Sequence, residues 1–136
     1  MKRFGRLELR WAEGLPRTSE AVDMMNFLLG LVLHEAMTLV RGTSDIRCVP
    51  VCDLEIDLSI ARSAKEALVE ISVGWRDAIV CSGKMQIDLP CVIQAGDCIM
   101  WDMATNECSL ITANEKHEPR LATTGSAVRT SKVVWN

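Results

Sequence analysis

The stretch that most limits how this chain can fold is residues 19–41, SEAVDMMNFLLGLVLHEAMTLVR. Apolar residues return at nearly every phase of a 3.6-residue period, which predicts one long helix that is apolar around most of its circumference. The polar positions Asp23, Asn26, Gly30, His34, Thr38 and Arg41 step by three or four and fall in one narrow stripe. Glu35 is the clear exception. A surface helix needs only an apolar stripe, whereas a helix this apolar needs covering on most sides. A sheet wrapped around it, a second subunit packed on it, or both, meets that need. Thr18 or Ser19 is placed to cap the amino end, with Glu20 and Asp23 close behind, and Arg41-Gly42 marks the other end.

The same segment is not expected to cross a membrane. Its charge-free run, Met24 to Leu33, covers ten residues, against about twenty needed for a bilayer. Asp23, His34 and Glu35 bracket that run. The opening MKRFGRLELRW is charged and alternating and lacks the apolar run of a signal peptide, so a cytoplasmic or virion setting is expected. With 136 residues, 49% of them hydrophobic and 24% charged, residues 1–136 read as one globular domain with its own core. Fifteen basic against eighteen acidic residues leave a net charge of −3. That balance argues against a surface built to neutralise phosphates, so no nucleic-acid partner is expected. Lys2, Arg3, Arg6 and Arg10 read as a solvated cluster.

Beyond the helix the period is two. Leu7, Leu9 and Trp11 alternate with Glu8 and Arg10 to give a first strand. From Cys52 to Ile60 the apolar set Cys52, Leu54, Ile56, Leu58 and Ile60 faces one way, with Asp53, Glu55, Asp57 and Ser59 opposite. ARSAKE turns the chain into a strand carrying Val69, Ile71, Val73 and Trp75. Further strands are expected over 78–81, 85–89, 98–103, 108–112 and 127–135, with MATNE as a hairpin turn and residues 113–125 as a long polar loop. The fold class that follows is α+β: one long buried helix over about 19–41 after a first strand, against an antiparallel sheet of roughly six strands.

The chemical candidates are few. Asp53, Glu55 and Asp57 recur along one strand about 7 Å apart, a spacing that offers oxygens to a cation but equally describes a solvated face. They are weak metal candidates. His34 and Glu35 are adjacent on the helix and diverge by about 100°, which keeps them from acting easily on one atom. His117 sits in the polar loop and reads as solvated. Cys48 and Cys52 form one close pair, while Cys81, Cys91, Cys98 and Cys108 are scattered. A zinc site usually shows two close pairs, so the cysteines are expected in the core as free thiols, Cys52 among them. Phosphate loops, HExxH and GxSxG motifs do not occur. No metal and no cofactor is therefore expected.

Two segments carry a family resemblance. Gly30 to Met37, GLVLHEAM, resembles the central-helix segment of hot-dog-fold acyl-thioester enzymes, and Pro90 to Asp97, PCVIQAGD, is similar to the proline and glycine-aspartate segment that enters a strand in that fold. The resemblance covers sixteen positions. It implies a sheet wrapped around the helix and, for a thioesterase or dehydratase, a catalytic role for Glu35. Ala95-Gly96-Asp97 is also similar to lipoyl and biotinyl carrier domains, but the following hairpin carries no lysine to modify.

Lacking a nucleophile–base pair, the sequence favours a non-enzymatic structural subunit of a large complex, such as a capsid, decoration or tail component of a virion. It would associate with copies of itself and with neighbouring structural proteins. The strand-like ends LELRW and KVVWN are expected to add to a neighbour's sheet. The competing expectation is the acyl-thioester enzyme with Glu35, assisted by His34, at its centre.

Overall fold

The computed structural model describes residues 1–15, 18–112 and, as backbone, 130–134. Among the described residues eight strands and one helix follow in the order β1 (Lys2–Trp11), α1 (Ser19–Arg41), β2 (Ile46–Val51), β3 (Leu54–Arg62), β4 (Glu66–Trp75), β5 (Ala78–Asp88), β6 (Cys98–Asp102), β7 (Glu107–Ile111) and β8 (Thr130–Val134). The strands form one antiparallel sheet in the order β2-β3-β4-β5-β1-β7-β6-β8. This is the α+β fold read from the sequence, with more strands than the six expected.

The helix dictates the shape of the sheet. α1 lies against β2, β3 and β4 and also approaches β8 at the opposite end of the strand order. Eight strands laid flat span about 34 Å at the usual inter-strand spacing, several times the helix's own width of about 10–12 Å. One helix can reach both ends only if the sheet curls around it. Leu28, Leu29, Val32, Leu33, Met37 and Leu39 are buried inside that curl, each contributing about 1.5–3 kcal/mol by leaving water. The strands answer with alternate residues, among them Ile56 and Leu58 of β3, Val69 and Val73 of β4, and Met85 and Ile87 of β5. Among the described residues α1 is the one helix long and apolar enough to cross a bilayer; in this fold it is the core.

Both helix ends are tied. The Thr18 hydroxyl accepts a hydrogen bond from the Ala21 N–H at 3.1 Å, the N-cap the sequence allowed. At the other end Gly42 donates to the Thr38 and Leu39 carbonyls in ordinary extended backbone. The last carbonyls then receive a cation from elsewhere. Arg62, at the end of β3, donates to Leu39 O at 2.7 Å, Ser44 O at 2.8 Å and Asp45 Oδ1 at 2.9 Å. One guanidinium thus holds the helix terminus, the following loop and the sheet together.

β1 and β5 pair without a register break from Gly5 to Trp11. A Cβ on Gly83 would stand 1.9 Å from Glu8 O, and one on Gly5 would stand 2.1 Å from Gln86 O. Two glycines, one on each strand, therefore allow backbones to approach where any side chain would hold them apart. Gly83 also explains a merged element: the strands expected over 78–81 and 85–89 are one continuous β5, which the Ser82-Gly83-Lys84 interruption had hidden.

Other expectations change for stated reasons. β2 is a strand that the sequence pattern does not announce, because Pro50 interrupts it and its apolar residues Ile46 and Cys48 face outward; proline is tolerated there because β2 is an edge strand. Cys52 leaves the strand phase and sits exposed in the β2–β3 turn at φ 54°. Trp75 is 43% exposed at the very end of β4, beyond a bulge in the pairing of β4 with β5, and carries the Arg76 guanidinium over its ring. LELRW is not an outer edge, since β1 runs inside the sheet between β5 and β7. The turns expected at ARSAKE and MATNE are present, the second with Asn106 at φ 62°. Of the expected 127–135 strand, residues 130–134 form β8, an end of the sheet; the rest, with the 113–125 loop and His117, lies outside the described residues.

Gly83→Ala is expected to destabilise the fold by about 1–3 kcal/mol, because backbone rather than a flexible side chain must give way. Chemical denaturation checks this, with Gly74→Ala as control, since its Cβ would meet nothing closer than 3.6 Å.

Candidate functional site

Glu35 is the buried carboxylate of α1. It lies at the flank of the helix beneath β2, where Arg47 Nε donates to its Oε2 in an ion pair. Arg47 faces inward because β2 runs with its apolar side out: Ile46, Cys48 and Pro50 are exposed while Arg47, Val49 and Val51 turn toward the helix. The pair therefore replaces an apolar contact between the edge strand and the helix. The arginine is the residue that sequence reasoning missed, and the signal was its position in the inward phase of IRCVPV. His34 is half-buried on the next face of the helix, where its backbone carbonyl accepts from the Thr38 hydroxyl at 2.9 Å. Glu35 turns to Arg47 and His34 to another face, so the two do not form one constellation there.

The acidic strand face does not close on a cation. Asp53 sits in the β2–β3 turn, while Glu55 and Asp57 project from β3 to solvent. Among the described residues no group of three His, Cys, Asp or Glu side chains stands close enough to hold a metal. In the register Asp57 lies beside Cys48 on one side and Ser72 on the other. Its acceptance of the Cys48 thiol proton raises that thiol's pKa, with smaller contributions from desolvation and from the negative charges of Asp57 and Glu55.

All six cysteines are free. Cys81, Cys98 and Cys108 are core residues, as expected, while Cys48 and Cys52 are exposed. Burial pushes the Cys81 thiol up to about 11 and the Cys108 thiol up to about 12. Both stay protonated in the fold where an unfolded thiol would ionise near 9. The folded chain then holds more protons than the unfolded one above that pH.

Asp97 is the other buried carboxylate among the described residues. It closes a turn in which Asp97 N donates to Gln94 O at 3.0 Å and Gln94 N donates to Asp97 Oδ2 at 2.9 Å. Gly96, at φ 90°, takes the position of that turn that needs a positive φ. The glycine-aspartate segment does lead into a strand, β6, and its carboxylate is engaged in shaping that entry.

Two concavities among the described residues stand out by size. One, of about 720 Å³, lies on the outer face of the sheet over Ser59, Ser72, Ser82 and Gly83, rimmed by charges of both signs such as Arg10, Lys84, Glu8 and Glu70. The other, of about 710 Å³, opens between the first turns of α1 and the ends of β1 and β6, against Trp11, Val22, Met25, Leu29, Trp101 and Met103. Apart from these, α1 presents a stripe that the sheet does not reach. Met24 is 59% and Phe27 60% exposed, and Leu31 is half-buried beside them. Positions i, i+3 and i+7 lie in one row on a helix, so these three make a continuous apolar patch.

The sequence gives no match to any protein-family model or curated protein, and the fold gives none to a solved structure. The hot-dog resemblance therefore rests on its sixteen residues.

Two outcomes are expected. Arg47→Met strands the Glu35 carboxylate and costs about 1–3 kcal/mol in urea unfolding, while Glu35→Leu combined with Arg47→Leu recovers most of that loss. The stabilisation tied to the buried thiols is fully present below pH 9 and is lost as pH rises through about 11 and 12. A scan of unfolding temperature against pH should therefore fall less steeply above pH 9 in Cys81→Ala combined with Cys108→Ala.

Proposed function

We propose that this chain is a structural subunit that assembles with copies of itself through the outer stripe of α1. The observation that carries the reading is the row Met24, Phe27 and Leu31, an apolar stripe on the face of α1 that its own sheet leaves uncovered. Apolar anchors spaced i, i+3 and i+7 are the form in which one helix recognises another. Covering Phe27 alone would contribute about 1.5 kcal/mol or more per copy. Asp23, His34 and Arg41 border the row and supply the polar rim that such contacts usually have. A large complex such as a virion is the wider setting we assign to this subunit, on the strength of the sequence pattern.

A second reading, an acyl-thioester enzyme with Glu35 as base or nucleophile, is favoured by one observation: a buried carboxylate at mid-helix inside a curled sheet. Against it stands Arg47, which already occupies that carboxylate. Turnover of acyl-CoA that is abolished by Glu35→Ala would establish the enzyme and displace the structural proposal.

Sedimentation equilibrium across micromolar concentrations tests the assembly. The chain is expected to be a concentration-dependent oligomer, and Phe27→Asp is expected to be a monomer with an unchanged fold. A monodisperse monomer for the unaltered chain at every concentration contradicts the proposal.

A further inference from the structure

The crevice between α1 and the sheet is independent of the outer stripe. Met25 and Phe27 are two residues apart and so point about 160° away from each other around the helix. An oligomer formed through Phe27 leaves the crevice to another occupant.

Its walls describe that occupant. At about 710 Å³ the space falls within the range of small-molecule sites and is lined chiefly by apolar groups. Trp101 is a fixed wall, because its Nε1 donates to Leu7 O at 2.9 Å and has no proton left for a ligand. Met25 and Met103 line the other sides with flexible, polarisable thioethers that adapt to irregular shapes. Among the described lining residues Glu13 supplies a carboxylate and Asn26 an amide. The Glu13 carboxylate repels an anion and offers an acceptor to a hydroxyl or amide proton.

We propose that this crevice is a binding site for an uncharged, largely apolar small molecule that carries one hydrogen-bond donor. The apolar body lies between Trp11 and Trp101, and the donor reaches the Glu13 carboxylate at the rim.

Titration of the full chain with Nile red, an uncharged apolar dye, tests the site, followed by displacement with 1-decanol and with decanoate. Saturable binding is expected, with 1-decanol displacing the dye at about fivefold lower concentration than decanoate. Met103→Glu places a charge at an exposed position of the rim and is expected to weaken dye binding about tenfold with the fold intact. Val22→Trp fills the space and, if it folds, does the same. Phe27→Asp, on the opposite helix face, is expected to bind the dye as the unaltered chain does. The proposal is overturned if no saturable binding occurs, if Met103→Glu binds unchanged, or if Phe27→Asp loses the dye. Decanoate displacing the dye as well as 1-decanol overturns the ligand class.

Discussion

Everything in this molecule is arranged around the covering of α1. The sheet encloses about 200° of the helix circumference, the arc that carries Leu28, Leu29, Val32, Leu33, Ala36 and Met37. That is wider than the stripe a surface helix buries against a single layer. It is reached by curling an eight-stranded sheet until β2 and β8, its two ends, both lie near one helix. The remaining arc is where the chain's own strands stop and where Phe27 is left in solvent.

Three local devices make that curl possible. Gly5 and Gly83 stand where the neighbouring strand's backbone leaves no room for a Cβ, one on each of the paired strands β1 and β5. Arg62 ties the carboxyl end of α1 and the loop after it to β3, satisfying carbonyls that the helix itself cannot. Glu35 and Arg47 fasten the edge strand β2 to the helix flank by charge, where an apolar residue would also have served. The last arrangement gives β2 one correct phase: slipped by one residue, Arg47 would face solvent and Glu35 would be left without its cation.

Much of the architecture was legible in residue order. The helix, its Thr18 cap, the alternation of β3 and β4, and the ARSAKE and MATNE turns all follow from local periodicity and turn chemistry. What escaped was decided by contacts distant in sequence. β2 hides its phase because its inward residue is an arginine paired with Glu35, twelve positions earlier. Cys52 fits the apolar phase of β3 by spacing, yet the hairpin needs it as a turn residue. The candidate sites were less legible than the fold. Asp53, Glu55 and Asp57 spread between a turn and an outer face, and His34 and Glu35 part company around the helix. The crevice at Trp11 and Trp101 joins residues ninety positions apart, which no single-segment pattern can bring together.

The uncovered row of α1 is the interface we propose between copies of the chain. Hydroxyl-radical footprinting reads it directly, because Met24 on that row and Met1 at the chain's start are comparably exposed in the single chain, 59% and 66%, and methionine oxidation tracks exposure. If copies meet through that row, Met24 becomes protected relative to Met1 as protein concentration rises. Equal oxidation of the two at every concentration would contradict it.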